Sequence, residues 1–208
     1  MKTGAVIVAA GMSSRMKAFK PLLPLCGSTI IGTAVASLQS AGVDEIAVVV
    51  GNQGELLEKY LSKTGATCLY NHKYQTSDMF ESAKIGFGYL KSKCDRLFFS
   101  PGDVPLFSKQ SLITMLGNMD SSRCEILLPV HAGKMGHPIL IDSSAIPSLM
   151  DYDGGLGLKD AIDHFKGTKK TVEFDDAGMT LDADRPEDYE LLKAFAGRHQ
   201  NDTDEANV

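Results

Sequence analysis

Arg15 and Lys20 stand five residues apart in the stretch Val8-Ala-Ala-Gly-Met-Ser-Ser-Arg-Met-Lys-Ala-Phe-Lys-Pro-Leu-Leu-Pro24. Their chemistry suits a polyphosphate. A guanidinium forks onto phosphate oxygens and an ammonium supplies a point charge. The small residues Ala9, Ala10 and Gly11 let backbone amides approach the same ligand, and Ser13 adds a hydroxyl to the turn. Pro21 and Pro24 stiffen the exit from the loop, which two solvated surface cations would not require. The spacing fits neither the Walker loop nor the Gly-x-Gly-x-x-Gly fingerprint, so this is a third kind of nucleotide loop.

Asp103, in Ser100-Pro-Gly-Asp-Val-Pro-Leu106, is the matching acid. A carboxylate just past a buried strand can hold a divalent cation, because Mg²⁺ prefers one or two carboxylates with phosphates and water. Gly-Asp between prolines is also good turn chemistry, and the cationic loop on the same sheet edge favours the metal reading. A second acidic run, Leu181-Asp-Ala-Asp-Arg-Pro-Glu-Asp-Tyr189, opens the last helix. Capping explains Glu187 and Asp188, while Asp184 or Asp182 can complete the metal site. His137, in Gly136-His-Pro138, either contacts an acceptor or satisfies backbone at a turn. The loop Asp151-Tyr-Asp-Gly-Gly-Leu-Gly157 either closes over a ligand or lies plainly on the surface. Nucleophilic catalysis finds no support, since there is no Gly-x-Ser-x-Gly elbow and no cysteine with a partner. A cationic loop with a metal carboxylate points instead to phosphoryl or nucleotidyl transfer by positioning and charge neutralisation.

A scaffold must bring these residues together, and strand-like and helix-like segments alternate along the chain. Strands are expected at Ala5–Ala10, Glu45–Val50, Thr67–Asn71, Arg96–Ser100, Glu125–Val130, Gly136–Ile141 and Thr171–Phe174, with the Gly136–Ile141 strand a candidate for antiparallel pairing. Helices are expected at Thr29–Ala41, Gln53–Lys63, Met79–Lys91, Lys109–Leu116, Gly155–Phe165 and Pro186–Ala196. Near-continuous apolar strands separated by helices predict an α/β fold: one doubly wound, mostly parallel, Rossmann-like sheet with helices on both faces. Ligands of such sheets sit beyond the carboxyl ends of the strands. The segments Gly11–Lys20, Gly51–Asn52, Asn71–Ser82 and Pro101–Pro105 all fall there. Residues 1–106 form a nucleotide half and 107–196 an acceptor half of one domain, and the polar, aperiodic 197–208 tail is expected to be disordered.

At 208 residues and 43% apolar composition the chain can bury one sizeable core. A net charge of −5 argues against a broad nucleic-acid or membrane surface. No apolar run reaches the roughly 18 residues of a membrane span, and the N-terminus lacks a signal pattern, so a cytoplasmic location is expected. Cys26, Cys68, Cys94 and Cys124 are far apart and read as ordinary reduced thiols.

Val8-Ala-Ala-Gly-Met-Ser-Ser-Arg-Met16 with Lys20-Pro-Leu-Leu-Pro24 resembles the opening signature of the molybdenum cofactor cytidylyltransferase family. Gly102-Asp-Val-Pro-Leu106, Asp78-Met-Phe-Glu-Ser82, Gly136-His-Pro138 and Asp182-Ala-Asp-Arg-Pro-Glu-Asp188 are similar to its later segments, in the same order. The resemblance implies a nucleotidyltransferase that uses CTP and Mg²⁺. Its acceptor would be molybdopterin or the molybdenum cofactor, and its product would pass to a molybdenum enzyme. By the same resemblance Arg15, Lys20 and Asp103 are catalytic. Ala9, Ala10, Gly11, Ser13, Asn71, Ser82 and Gly102 would join the cations in binding the nucleotide, Asp103 and Asp184 would hold the metal, and His137 would lie on the acceptor side. CTP rests on Ala10, where guanylyltransferase relatives carry glycine. Lys17, Asp78 and Arg185 depart from the family's usual glycine, glycine and threonine. The rival readings are a nucleotidyltransferase acting on a sugar or polyol phosphate and a non-catalytic carrier of the cofactor.

Overall fold

A strand whose two faces are both apolar must be covered on both sides. In the computed structural model, which describes residues 1–12, 15–16 and 18–205 (199–205 as backbone only), the first strand meets that demand. The strand β1 (Thr3–Ala9) is followed by the hairpin β2 (Pro24–Leu25) and β3 (Ser28–Thr29), then α1 (Ile30–Ser40), β4 (Glu45–Val50) and α2 (Gly54–Leu61). Next come β5 (Thr67–Tyr70), α3 (Met79–Leu90), β6 (Arg96–Pro101), α4 (Lys109–Ser122) and β7 (Ile126–His131). The chain continues through β8 (Lys134–Met135), β9 (Ile139–Asp142), α5 (Ile146–Met150), α6 (Gly157–His164), β10 (Lys169–Glu173) and α7 (Pro186–Glu205).

The main sheet runs β10-β7-β9-β6-β1-β4-β5, with β8 paired to β7. Strand β1 lies inside the sheet, parallel to both of its neighbours, β4 and β6. Strand β9 is antiparallel to β6 and β7, so the sheet is mixed but mostly parallel, as Gly136–Ile141 had suggested. Ala5, Ile7 and Ala9 enter one core, shared with Leu38 of α1, Leu57 of α2 and Met115 of α4. Val6 and Val8 enter the other, with Phe87 of α3, Leu149 of α5 and Ile162 of α6. Close approach of α3 to β1 requires Gly86, because a Cβ there would lie 2.4 Å from Val6 Cγ1. Thr29, Asp78 and Ser108 accept backbone N–H groups at the starts of α1, α3 and α4.

Three differences from the sequence expectations have physical causes. Helix α4 continues beyond Leu116 to Ser122, because Met119 prolongs its buried stripe before Arg123 turns left-handed. Helix α7 runs on to Glu205, where disorder was expected after Ala196: Leu192 and Ala196 dock beside Leu25 and Ile30, and no proline follows to stop the helix. The two-residue strands β2, β3 and β8 and the five-residue α5 are too short to show a periodicity. All four cysteines are free. Among the described residues no helix is long and apolar enough to cross a membrane.

Candidate active site

Strands β1 and β6 are parallel neighbours, so the loops that follow them leave the sheet at the same edge. The first loop leads to the single turn Lys20–Leu22, and the second places Asp103 two residues past Pro101. The acidic run before α7 joins them, because Ala183 N–H donates to the Asp103 carbonyl at 3.1 Å and Tyr189 Oη donates to the Pro24 carbonyl at 2.6 Å.

The outcome is one cation between two acids. Lys20 Nζ lies 2.9 Å from Asp103 Oδ2 and 3.0 Å from Asp184 Oδ1. Arg15 reaches the other oxygen of Asp184 at 2.9 Å. The Lys20 side chain is only 12% exposed, whereas Arg15 is 69% exposed, so the ammonium forms the inner, drier contact and the guanidinium the outer one. Burial acts to lower the pKa of Lys20, but attraction from Asp103 and Asp184 outweighs it and the net shift is upward. The Lys20 hydrogen bond holds Asp184 below its ordinary value, with Arg15 adding to the effect. Asp182 is pushed up, first by burial and then by Asp103 and Asp184. Of the two alternatives left open by the sequence, Asp184 is the acid that meets Lys20.

Lys20 and Asp103 border a cleft of about 200 Å³ whose wall also includes Val8, Ala9, Ala10, Gly11 and Gly102. Gly102 N–H donates to the Val8 carbonyl at 2.8 Å. A Cβ on Gly102 would lie 3.1 Å from both that oxygen and the Ala9 Cβ, so glycine keeps Asp103 close to β1. Ser82 also lines the cleft. Asn71 does not: it is buried behind the wall, donating to Ser77 and Ser82 hydroxyls and accepting from Lys73 N–H. Ser13 and Lys17 lie outside the described residues. Tyr74, Ser77 and Pro101 line the cleft without having been singled out, since isolated polar and proline residues in a loop carry no spacing signal.

A second cavity, about 600 Å³, adjoins the cleft and shares Asp78 and Met79 with it. Its lining is largely apolar, with Phe80, Phe99, Leu128, Ile139, Leu158 and Ile162. His137 belongs to this cavity, edge-on to Phe99 with ring centroids 6.1 Å apart. Its Nδ1 is buried with no partner among the described residues, and burial pushes the imidazole pKa down to about 4. The ring is therefore neutral at pH 7. The glycine-rich loop contributes Gly155, Leu156 and Gly157 to the same cavity.

Among the described residues no three His, Cys, Asp or Glu side chains gather as a metal site. Two aspartates sharing one cation instead offer hard oxygen donors and leave the remaining positions to phosphate and water, which fits Mg²⁺.

The model of the MobA-like NTP transferase domain matches residues 5–171. The chain belongs to this family. It is 29% identical over 191 residues to the molybdenum cofactor cytidylyltransferase of Escherichia coli K12, covering 90% of this chain and 94% of that protein. Among solved structures it is similar to a nucleotidyl transferase from Methanothermobacter (TM-score 0.79, 22% identity, 95% of this chain and 99% of that one). It is also similar to a CMP:2-keto-3-deoxy-manno-octonic acid synthetase complexed with CTP (TM-score 0.74, 15% identity, 96% of this chain and 100% of that one). The protein is thus a nucleotidyltransferase with the α/β fold of that group.

Proposed function

We propose that the protein transfers CMP from CTP to the terminal phosphate of molybdopterin or the molybdenum cofactor, releasing pyrophosphate. The observation that carries this reading is Lys20 held between Asp103 and Asp184 at the mouth of the β1–β6 cleft, with Arg15 beside it. The likeness to the Escherichia coli enzyme across 90% of the chain supports the choice of donor and acceptor.

Asp103 and Asp184 would hold Mg²⁺, which when bound supplies charge neutralisation on phosphate oxygens. Lys20 and Arg15 grip the triphosphate and stabilise negative charge that builds on the departing pyrophosphate. Backbone at Ala9, Ala10 and Gly11 lies against the nucleotide, and Gly102 keeps the acid close to it. An oxygen of the acceptor's terminal phosphate attacks the α-phosphorus. The bond from that phosphorus to the β-phosphate bridging oxygen breaks, and pyrophosphate leaves with the electron pair. The acceptor's ring system occupies the apolar cavity beside His137. That lining is largely apolar, with Asp78, His137, Lys159 and Asp163 as its polar side chains, and would pack against the faces of a flat heterocycle. A molybdenum enzyme would receive the product, and the cytoplasm is the compartment this chemistry implies.

The test is pyrophosphate release from CTP and Mg²⁺ with molybdopterin-type acceptors and with sugar phosphates. The expected result is turnover with the former only, lost in Asp103→Ala. Turnover with sugar phosphates alone sinks the acceptor, and an active Asp103→Ala sinks the metal assignment.

A further inference from the structure

The family resemblance implies that Asn71 contacts the nucleotide, yet its polar side-chain atoms are all spent inside the protein. Its Oδ1 accepts from Lys73 N–H at 2.9 Å, which fixes the orientation of the amide. The two Nδ2 hydrogens are then committed: one goes to Ser77 Oγ and one to Ser82 Oγ, each at 2.9 Å. The residue is 4% exposed and is pinned at the end of β5 by its own N–H, which donates to the Val50 carbonyl at 2.9 Å. It has little freedom to rearrange.

A hydroxyl that accepts from an amide must send its own proton elsewhere. For Ser82 the described residues offer only the Asp78 carbonyl, 3.5 Å away and at the limit of a hydrogen bond. For Ser77 no protein acceptor exists among the described residues. Both serines line the cleft, on a wall that also carries Tyr74 and Met79. We infer that Asn71 is a positioning residue that polarises Ser77 and Ser82, so that this wall presents two O–H donors to acceptor atoms of the bound nucleoside. Those acceptors are a pyrimidine carbonyl or ring nitrogen, or a ribose oxygen. The inference rests on the reading of the cleft as a nucleotide site and assigns its nucleoside-facing wall.

Asn71→Asp is the decisive variant. A carboxylate keeps the shape and still accepts from Lys73, but it also accepts from both hydroxyls and so reverses their protons. Binding of CTP, ribose 5-triphosphate and inorganic tripolyphosphate is measured by calorimetry for wild type, Asn71→Asp, Ser77→Ala and the combined variant. Loss of two ordinary hydrogen bonds weakens CTP binding about tenfold in Asn71→Asp. Tripolyphosphate binding should hold within about twofold, because it needs only the cations. Ser77→Ala alone should weaken CTP several-fold, and should add nothing in the Asn71→Asp background. A loss already seen with ribose 5-triphosphate assigns the donors to the sugar, and a loss seen only with CTP assigns them to the base.

Unchanged CTP binding in Asn71→Asp, or equal weakening of CTP and tripolyphosphate, overturns the inference. Should Asn71→Asp fail to fold, the Ser77→Ala/Ser82→Ala pair serves instead, and undiminished CTP binding there is equally fatal. A wild type that binds neither CTP nor tripolyphosphate removes the nucleotide reading itself, and this inference with it.

Discussion

Replacing Lys20 by methionine keeps an aliphatic stem and removes only the ammonium between Asp103 and Asp184. Hydrogen bonds to charged groups contribute about 1.5–3 kcal/mol each, and breaking a fully buried ion pair costs about 3–5 kcal/mol. The pair here is less than fully buried, since Asp103 is 23% and Asp184 42% exposed, and Arg15 still reaches Asp184. A loss of about 2 kcal/mol follows, equivalent to a fall of roughly 4–8 °C in Tm for a chain of this size. Two carboxylates left without their ammonium also form a better divalent site. Mg²⁺ should therefore raise the Tm of Lys20→Met by more than that of wild type, where it competes with Lys20. Circular-dichroism melts at low ionic strength, with and without MgCl₂, measure both effects. Identical melting of variant and wild type, or an equal Mg²⁺ shift in the two, would refute the placement of Lys20 as the counter-ion of both acids.

Gly86→Ala brings a Cβ to 2.4 Å from Val6 Cγ1, so α3 must shift off β1, at about 1–3 kcal/mol by urea denaturation. A change below about 0.5 kcal/mol would mean that the contact gives way freely. His137 titrates near 4 when folded and near its ordinary ~6.5 when unfolded, so between those values the unfolded chain binds more protons. Its contribution is fully present above about pH 6.5 and is lost as pH falls toward 4, with a ceiling of about 3 kcal/mol. His137→Gln should flatten the stability profile across that window, and an unchanged slope would remove His137 as its cause.

Much of the scaffold is legible because its strands are apolar on both faces: Glu45–Val50 has the same bounds in sequence and structure. That Lys20 and Asp103 lie at the same strand-end cleft is legible because each follows a strand that reads clearly. Their pairing is not, and neither is the bond from Lys20 to Asp184 across 164 residues of chain, since the order of strands in the sheet is not written locally. Asn71 shows a different limit. The family resemblance implies a ligand contact for it, but the fold of the 71–82 loop turns its amide inward. The apolar cavity around His137 draws on β6, β7, β9 and α6, and no single segment announces it.

The proposed activity depends on a metal–triphosphate site built from Lys20, Asp103, Asp184 and Arg15. Its most direct test is a crystal structure with Mn²⁺ and a non-hydrolysable CTP analogue, using anomalous scattering to find the ion. The expected result is an anomalous peak bound to Asp103, with the triphosphate in the β1–β6 cleft and Lys20 Nζ on a phosphate oxygen. A triphosphate bound elsewhere, or an ion with no contact to Asp103 or Asp184, would contradict it.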